Sequence, residues 1–131
     1  INNPNFKDEF AKTRKIINDP RITNIGKFLR FSSLDELPQL INVLKGEMSF
    51  VGPRPIVKSE IKIYGNDFEK AFSIKPGISG LWQVSGRNKL SYQKRVELDL
   101  FYSENASFIL DIKIFIKTLL IIIFPFGKGA Y

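Results

Sequence analysis

A mostly α fold, with Gly/Pro-rich ordered loops and few short strands, is predicted by three observations. Apolar residues recur at helical spacing, most clearly Leu37, Leu40, Ile41 and Leu44 at i, i+3, i+4 and i+7. Two stretches, Gly52-Pro53-Arg54-Pro55 and residues 75–88, are crowded with turn formers yet keep apolar residues of their own. Sustained apolar/polar alternation, the mark of a half-buried strand, is scarce along the chain.

Taken in order, residues 2–18 read as a polar, lysine-rich helix whose apolar stripe is thin (Phe6, Phe10, Ile16, Ile17). Asp19-Pro20-Arg21 breaks it, because a proline disfavours helix in the residue before it. Residues 25–31 form a short basic amphipathic segment. Residues 34–45 form a helix with an apolar core face, stopped by Gly46. Met48-Ser49-Phe50-Val51 is a short apolar run, extended or looped, feeding the Gly/Pro turn. Residues 57–64 are expected to be helical, and 68–74 less clearly so. Residues 75–88 read as an ordered loop, with Ile78, Leu81, Trp82 and Val84 as its own small core. Ser91 is the expected N-cap of a helix over 91–105. A second helix covers 107–124, and 127–131 form a tail.

The 131 residues and 44% hydrophobic content suit one domain with a modest core. A net charge of +7 favours anionic partners, whether nucleic acid, acidic lipid or phosphorylated substrate. Twelve Phe residues hint at an apolar surface in use. With no Cys there is no disulfide framework or thiolate site, and with no His there is no imidazole base or ligand. Chemistry must then run on carboxylates, Lys/Arg, Tyr, hydroxyls or a hard metal ion. The chain opens on Ile1 and its only Met is Met48, so it is expected to be a piece of a longer protein. No apolar run reaches the roughly 18–20 residues of a membrane span; the nearest, 118–126, runs into Pro125.

Ser33-Leu34-Asp35-Glu36-Leu37-Pro38-Gln39 places two adjacent carboxylates at a helix start. A helix N-terminus favours negative charge there. An ionised carboxylate can attack phosphorus, and its neighbour can hold Mg²⁺. The plainer reading is a capping box, Glu36 reaching back to the Ser33 N–H with Asp35 decorating the dipole. Pro38 lacks the N–H that would bond Leu34, so the helix is either kinked there or begins nearer Pro38.

Arg54, between two prolines, is aimed at little entropic cost, and a guanidinium can bind phosphate bidentately; a surface turn with an ordinary ion pair is the alternative. Arg87 follows Gly86 in a turn where backbone N–H groups can cradle an anion, or is a plain loop arginine. Arg30 precedes the carboxylate pair and can offset its charge. Asp99, four residues after Arg95, is an i,i+4 ion-pair partner unless it has a functional role. In the last helix Asp111 and Thr118 share one stripe while Lys113 and Lys117 share another. Two narrow polar stripes suit a helix with lysines at lipid headgroups and Asp111 toward protein, or a core helix of a larger protein.

Together these segments resemble the bacterial sugar transferase family, the monotopic polyprenyl-phosphate phosphoglycosyl transferases. The resemblance runs through Asn18-Asp19-Pro20-Arg21-Ile22-Thr23, the Asp35-Glu36 segment, Gly46-Glu47-Met48-Ser49-Phe50-Val51-Gly52-Pro53-Arg54-Pro55 and Lys75-Pro76-Gly77-Ile78-Ser79-Gly80-Leu81-Trp82-Gln83-Val84-Ser85-Gly86-Arg87-Asn88. It ends in Leu98-Asp99, Tyr102, Asp111 and Gly129-Ala130-Tyr131. The resemblance implies a membrane-associated catalytic domain that moves a hexose 1-phosphate from a UDP-sugar to undecaprenyl phosphate and releases UMP. It also implies the cytoplasmic face of the bacterial inner membrane and the first membrane step of surface polysaccharide or glycoconjugate assembly. It makes Asp35 the covalent nucleophile and Glu36 a Mg²⁺ ligand, and it associates Arg30, Arg54, Arg87 and Asp99 with substrate or the active-site charge network. The Gly-Ala-Tyr ending resembles members using UDP-galactose or UDP-glucose. The expected partners are the UDP-sugar, undecaprenyl phosphate and a membrane surface, with no nucleic acid and with room for a homo-oligomer. Family members carry an upstream membrane-inserted helix that is not in this sequence. The rival is a non-enzymatic basic helical module for membrane surfaces or nucleic acid, which accounts for the charge and the Phe content but not for Asp35-Glu36 with Arg54.

Overall fold

The computed structural model describes residues 7, 19–32 and 34–124. The expected helix over 2–18, the Ser33 cap and the tail at 127–131 lie outside the described residues or, for the first, all but Lys7 does.

The chain enters through a turn built by its own side chains. Arg21 grips Asp19 with Nε on Oδ1 at 2.9 Å and Nη2 on Oδ2 at 2.6 Å, and its backbone N–H donates to Oδ1 at 3.0 Å. These bonds, with Arg30's charge adding, hold the Asp19 carboxyl down at about 2. Thr23 Oγ1 then accepts the Gly26 N–H at 3.1 Å, and helix α1 (Asn24–Ser32) follows.

The single helix expected over 34–45 is instead two pieces, a 3₁₀ turn at Leu34–Glu36 and helix α2 at Gln39–Leu44. Pro38 is the cause. It has no N–H to give Leu34, whose carbonyl takes the Leu37 N–H at 3.2 Å in the tighter i+3 pattern. A fresh helix then opens from Pro38. Gly46, at φ +77°, closes it as expected. The apolar stripe of this segment is not a core face. Leu37, Leu40, Ile41 and Leu44 are all exposed, Leu44 by 88%, because no described element packs over them.

Strand β1 (Ser49–Val51) pairs in parallel with β2 (Gly77–Ser79), in the register Ser49 to Gly77 and Val51 to Ser79. The crossover between them carries α3 (Lys58–Tyr64), a 3₁₀ turn at Gly65–Asp67 and α4 (Phe68–Ala71). The expected loop over 75–88 is therefore structured throughout. β2 leads into α5 (Leu81–Ser85), whose start is fixed by the Gly80 N–H donating to Gln83 Oε1 at 2.7 Å, and a 3₁₀ turn at Arg87–Lys89 follows.

Two long helices complete the fold. α6 (Tyr92–Asn105) and α7 (Phe108–Ile123) begin at Ser91 and Ser107, whose hydroxyls accept N–H groups from Lys94 and Leu110 at 3.2 Å each. α6 buries Arg95, Val96, Asp99 and Tyr102, a stripe at i, i+1, i+4 and i+7. One apolar cluster joins Val51, Tyr102 and Ile114; a second joins Tyr64, Ala71 and Val96.

The inner face of α7 carries Asp111, Ile114, Thr118 and Ile121. Asp111 accepts the Tyr102 hydroxyl at 2.5 Å, and Thr118 meets the Ser79 hydroxyl at 2.6 Å. Asp111 thus turns toward protein, as the two-stripe pattern predicts. The outward face is apolar and open, from Phe108 and Ile109 through Phe115, Ile116, Leu119 and Ile123 to Phe124. Among the described residues no helix is long and apolar enough to cross a membrane.

Candidate active site

Two sequence motifs 25 residues apart form one backbone knot. The Gly52 N–H donates to Ser79 O at 3.0 Å, and the Gly77 N–H donates to Pro53 O at 2.9 Å. A Cβ on Gly77 would strike Gly52 N and Val51 C, and one on Gly52 would lie 2.5 Å from Lys75 O. Only glycine lets the chains approach so closely, which is why Gly52-Pro53 and Pro76-Gly77 recur as a matched pair of Gly/Pro signals. The knot is buried at Gly52 and Pro53, and Arg54 leaves it into solvent.

Arg54 does not stand alone. Its guanidinium carbon lies 5.9 Å from the centroid of the buried Trp82 ring, and that of Arg95 lies 4.8 Å from it. Arg95 is nearly buried, and its burial, with Arg54's charge nearby, pulls its pKa below the usual guanidinium value. The result is a cationic floor with an aromatic base, fit to receive an anion. Arg95 escaped the sequence reading, which treated it only as a partner for Asp99. Its place on the buried stripe of 92–105 is the signal that exposes it.

The i,i+4 ion pair between Arg95 and Asp99 does not form. Asp99 is fully buried and accepts the Tyr64 hydroxyl through Oδ2 at 2.7 Å, while its Oδ1 and Arg95 Nε have no hydrogen-bond partner. Burial pushes the Asp99 carboxyl up to about 7, against the opposing effect of the Tyr64 bond. The same burial, with the Asp99 charge, pushes the Tyr64 phenol well above its usual range. With no accessible surface, Asp99 orients Tyr64 and the α3–α6 packing in this arrangement.

Arg87 occupies a different wall. It is the one described non-glycine residue at positive φ (+51°), held between Lys89 N–H to Gly86 O at 3.1 Å and Leu90 N–H to its own carbonyl at 3.3 Å. It lines a cavity of about 330 Å³ together with Lys89 and Lys117.

Asp35 and Glu36 are exposed on the 3₁₀ turn ahead of Pro38. Asp35 makes no hydrogen bond or ion pair among the described residues, so its carboxylate is open to a ligand. Arg30, exposed at the end of α1, exerts its charge on Asp19. No hydrogen bond or ion pair among the described residues joins the carboxylate turn to Arg54, Arg87 or Asp99. No group of three or more acidic side chains there could by itself hold a metal ion.

The family described as "Bacterial sugar transferase" matches residues 3–125. The chain is 51% identical over 130 residues to "Undecaprenyl-phosphate galactose phosphotransferase" of Salmonella typhimurium, covering 99% of this chain and 27% of that protein. It is 49% identical over 117 residues to "Exopolysaccharide production protein ExoY" of Sinorhizobium fredii, covering 89% of this chain and 52% of that protein. With "UDP-glucose:undecaprenyl-phosphate glucose-1-phosphate transferase" of Klebsiella pneumoniae it shares 46% over 109 residues, 77% of this chain and 23% of that protein. The chain thus spans about half or less of the length of these relatives. Its match to the family over nearly every residue, with the Gly/Pro knot and the Asp35-Glu36 turn inside the matched span, makes it a member of the bacterial sugar transferase family.

Proposed function

We propose that this chain carries the catalytic part of an enzyme that transfers a hexose 1-phosphate from a UDP-sugar to undecaprenyl phosphate, releasing UMP. The observation that carries the reading is the 51% identity, over 99% of the chain, to a protein named for undecaprenyl-phosphate galactose transfer. The galactose and glucose relatives together favour a UDP-hexose donor.

The chemistry needs no general base, which suits a chain without His. An Asp35 carboxylate oxygen forms a bond to the sugar-bearing phosphorus. The bond from that phosphorus to the bridging oxygen breaks, and UMP leaves with the electron pair. An oxygen of undecaprenyl phosphate then attacks the same phosphorus and displaces the Asp35 carboxylate, giving the lipid diphosphate sugar. No proton is transferred in either step.

The difficulty is repulsion, because donor, acceptor and nucleophile are all anionic. Arg54, backed by Arg95 across Trp82, supplies fixed positive charge. Mg²⁺ commonly binds through one or two carboxylates plus substrate phosphates, and Glu36 with its neighbour fits that demand. The ion would neutralise the diphosphate as Asp35 approaches. The outward face of α7, with Lys113 and Lys117 exposed beside it, rests in this reading on the cytoplasmic side of the inner membrane.

The test is single-turnover UMP release by the full-length protein with Mg²⁺ and UDP-galactose, without lipid acceptor. A stoichiometric burst, lost in Asp35→Asn at unchanged thermal stability, is expected. A burst that survives in Asp35→Asn, or UMP that appears only on adding undecaprenyl phosphate, overturns the covalent step.

A further inference from the structure

The cavity beside the Gly86 turn is distinct in charge from everything around it. Arg87 and Lys89 reach it from the 3₁₀ turn and Lys117 from α7, while its lining contains no carboxylate. None of the three cations takes part in an ion pair among the described residues, where the pairs are Arg21–Asp19, Lys70–Glu104 and Lys94–Glu97. Three like charges around one hollow repel one another, and that repulsion is relieved when an anion enters.

Both elements that bring the cations are fixed. Arg87 is held in the left-handed region by flanking backbone hydrogen bonds, a conformation L-residues rarely adopt and one that tends to mark functional positions. On the other side Thr118, adjacent to Lys117, bonds the Ser79 hydroxyl and the Ile114 carbonyl at 2.8 Å, setting the register of α7 against β2. The cavity is therefore preorganised rather than formed by mobile side chains meeting by chance.

We propose that this cavity is a phosphate subsite that takes the phosphomonoester head of a lipid, gripped by Arg87, Lys89 and Lys117. At about 330 Å³ it falls in the range of ligand pockets and exceeds what one phosphate fills. The remaining wall is apolar, from Val84 and Ile121. Lys117 also sits on the helix whose outward face is open and apolar, so a lipid headed here keeps its chain along α7. A soluble nucleotide gains nothing from that face. Naming the lipid as the transfer acceptor rests on the transferase reading above; the subsite itself does not.

The test is equilibrium binding of dioctanoyl phosphatidic acid, a lipid phosphomonoester, to the full-length protein in neutral detergent by titration calorimetry. Dioctanoyl phosphatidylcholine, inorganic phosphate and UDP serve as comparisons. Phosphatidic acid should bind at least ten-fold more tightly than phosphatidylcholine or inorganic phosphate. Lys89→Gln combined with Lys117→Gln should weaken it at least ten-fold and change UDP affinity less than two-fold. Lys58→Gln with Lys62→Gln, which removes the same charge from α3, should leave lipid binding alone. Arginine at positions 89 and 117 should restore it, which separates lost charge from lost fold. Unchanged phosphatidic acid binding in the double glutamine variant overturns the proposal, as does a loss that falls on UDP instead. Inorganic phosphate binding as tightly as the lipid overturns the lipid assignment. Because no turnover is read, lipid binding that holds while the Asp35 burst fails would leave the subsite standing and remove the transferase reading.

Discussion

Asp99→Asn tests how the interior beneath Arg54 handles charge. The carboxyl is fully buried, and its pKa rises from 3.8 to about 7. A raised carboxyl pKa means the folded protein holds a proton that the unfolded chain has lost. Between pH 4 and 7 stability must therefore fall as pH rises, by about 1.4 kcal/mol per unit where one proton separates the states. Across the full window the loss approaches about 4 kcal/mol, and the curve flattens above pH 7. The chain has no His, so no side chain of ordinary pKa titrates between pH 5.5 and 7.5 to mask the slope. Asparagine keeps the shape and an oxygen for the Tyr64 hydroxyl but carries no charge. The variant should match the parent near pH 5 and exceed it at pH 8. Urea unfolding followed by Trp82 fluorescence across pH 5–8 provides the measurement. A parent whose stability is flat or rises over this range refutes the reasoning, as does a slope that persists in Asp99→Asn.

Two further outcomes follow from the packing. Tyr102→Phe removes the hydroxyl that bonds Asp111 across the α6–α7 interface and should cost about 2 kcal/mol, measured by chemical denaturation. Gly77→Ala drives a Cβ into the Gly52 backbone and should destabilise the protein by about 3 kcal/mol or more, read as lost cooperative thermal unfolding. In Ala106→Gly, at an exposed junction between α6 and α7, the stability change should stay much smaller than at Gly77.

The helices were legible where one segment carries its own instructions. Ser91 and Ser107 announce α6 and α7 because a cap is local chemistry, and Gly46 ends α2 for the same reason. The break at Pro38 was legible as an open choice and is settled by the Leu34 carbonyl turning to Leu37. What was not legible needs distant partners. Gly77-Ile78-Ser79 is a strand only because Ser49-Phe50-Val51 lies beside it, and three residues are too few to show a period. Of the site residues, Arg54 and Arg87 were visible from their turns. Arg95 and Lys117 were not, since their roles arise from the Trp82 ring and from the α5–α7 hollow.

Leu37, Leu40, Ile41 and Leu44 show where helical periodicity stops informing. The spacing correctly reports that one side of the segment is apolar, yet it says nothing of what that side meets. On α7 the inner stripe of Ile114 and Ile121 finds protein, and the rest of the circumference stays open. A soluble domain of this size that exposes apolar faces on both α2 and α7 gains little stability from them, because burial against protein is what makes such residues stabilising. Those faces sit on elements adjoining the carboxylate turn and the cationic cavity respectively. An enzyme whose acceptor is a lipid needs apolar surface next to its charged groups, since the reacting phosphate and the chain attached to it demand opposite environments within one molecule. The unburied stripes are in that reading the counterpart of the arginines and lysines, and both belong to the same substrate.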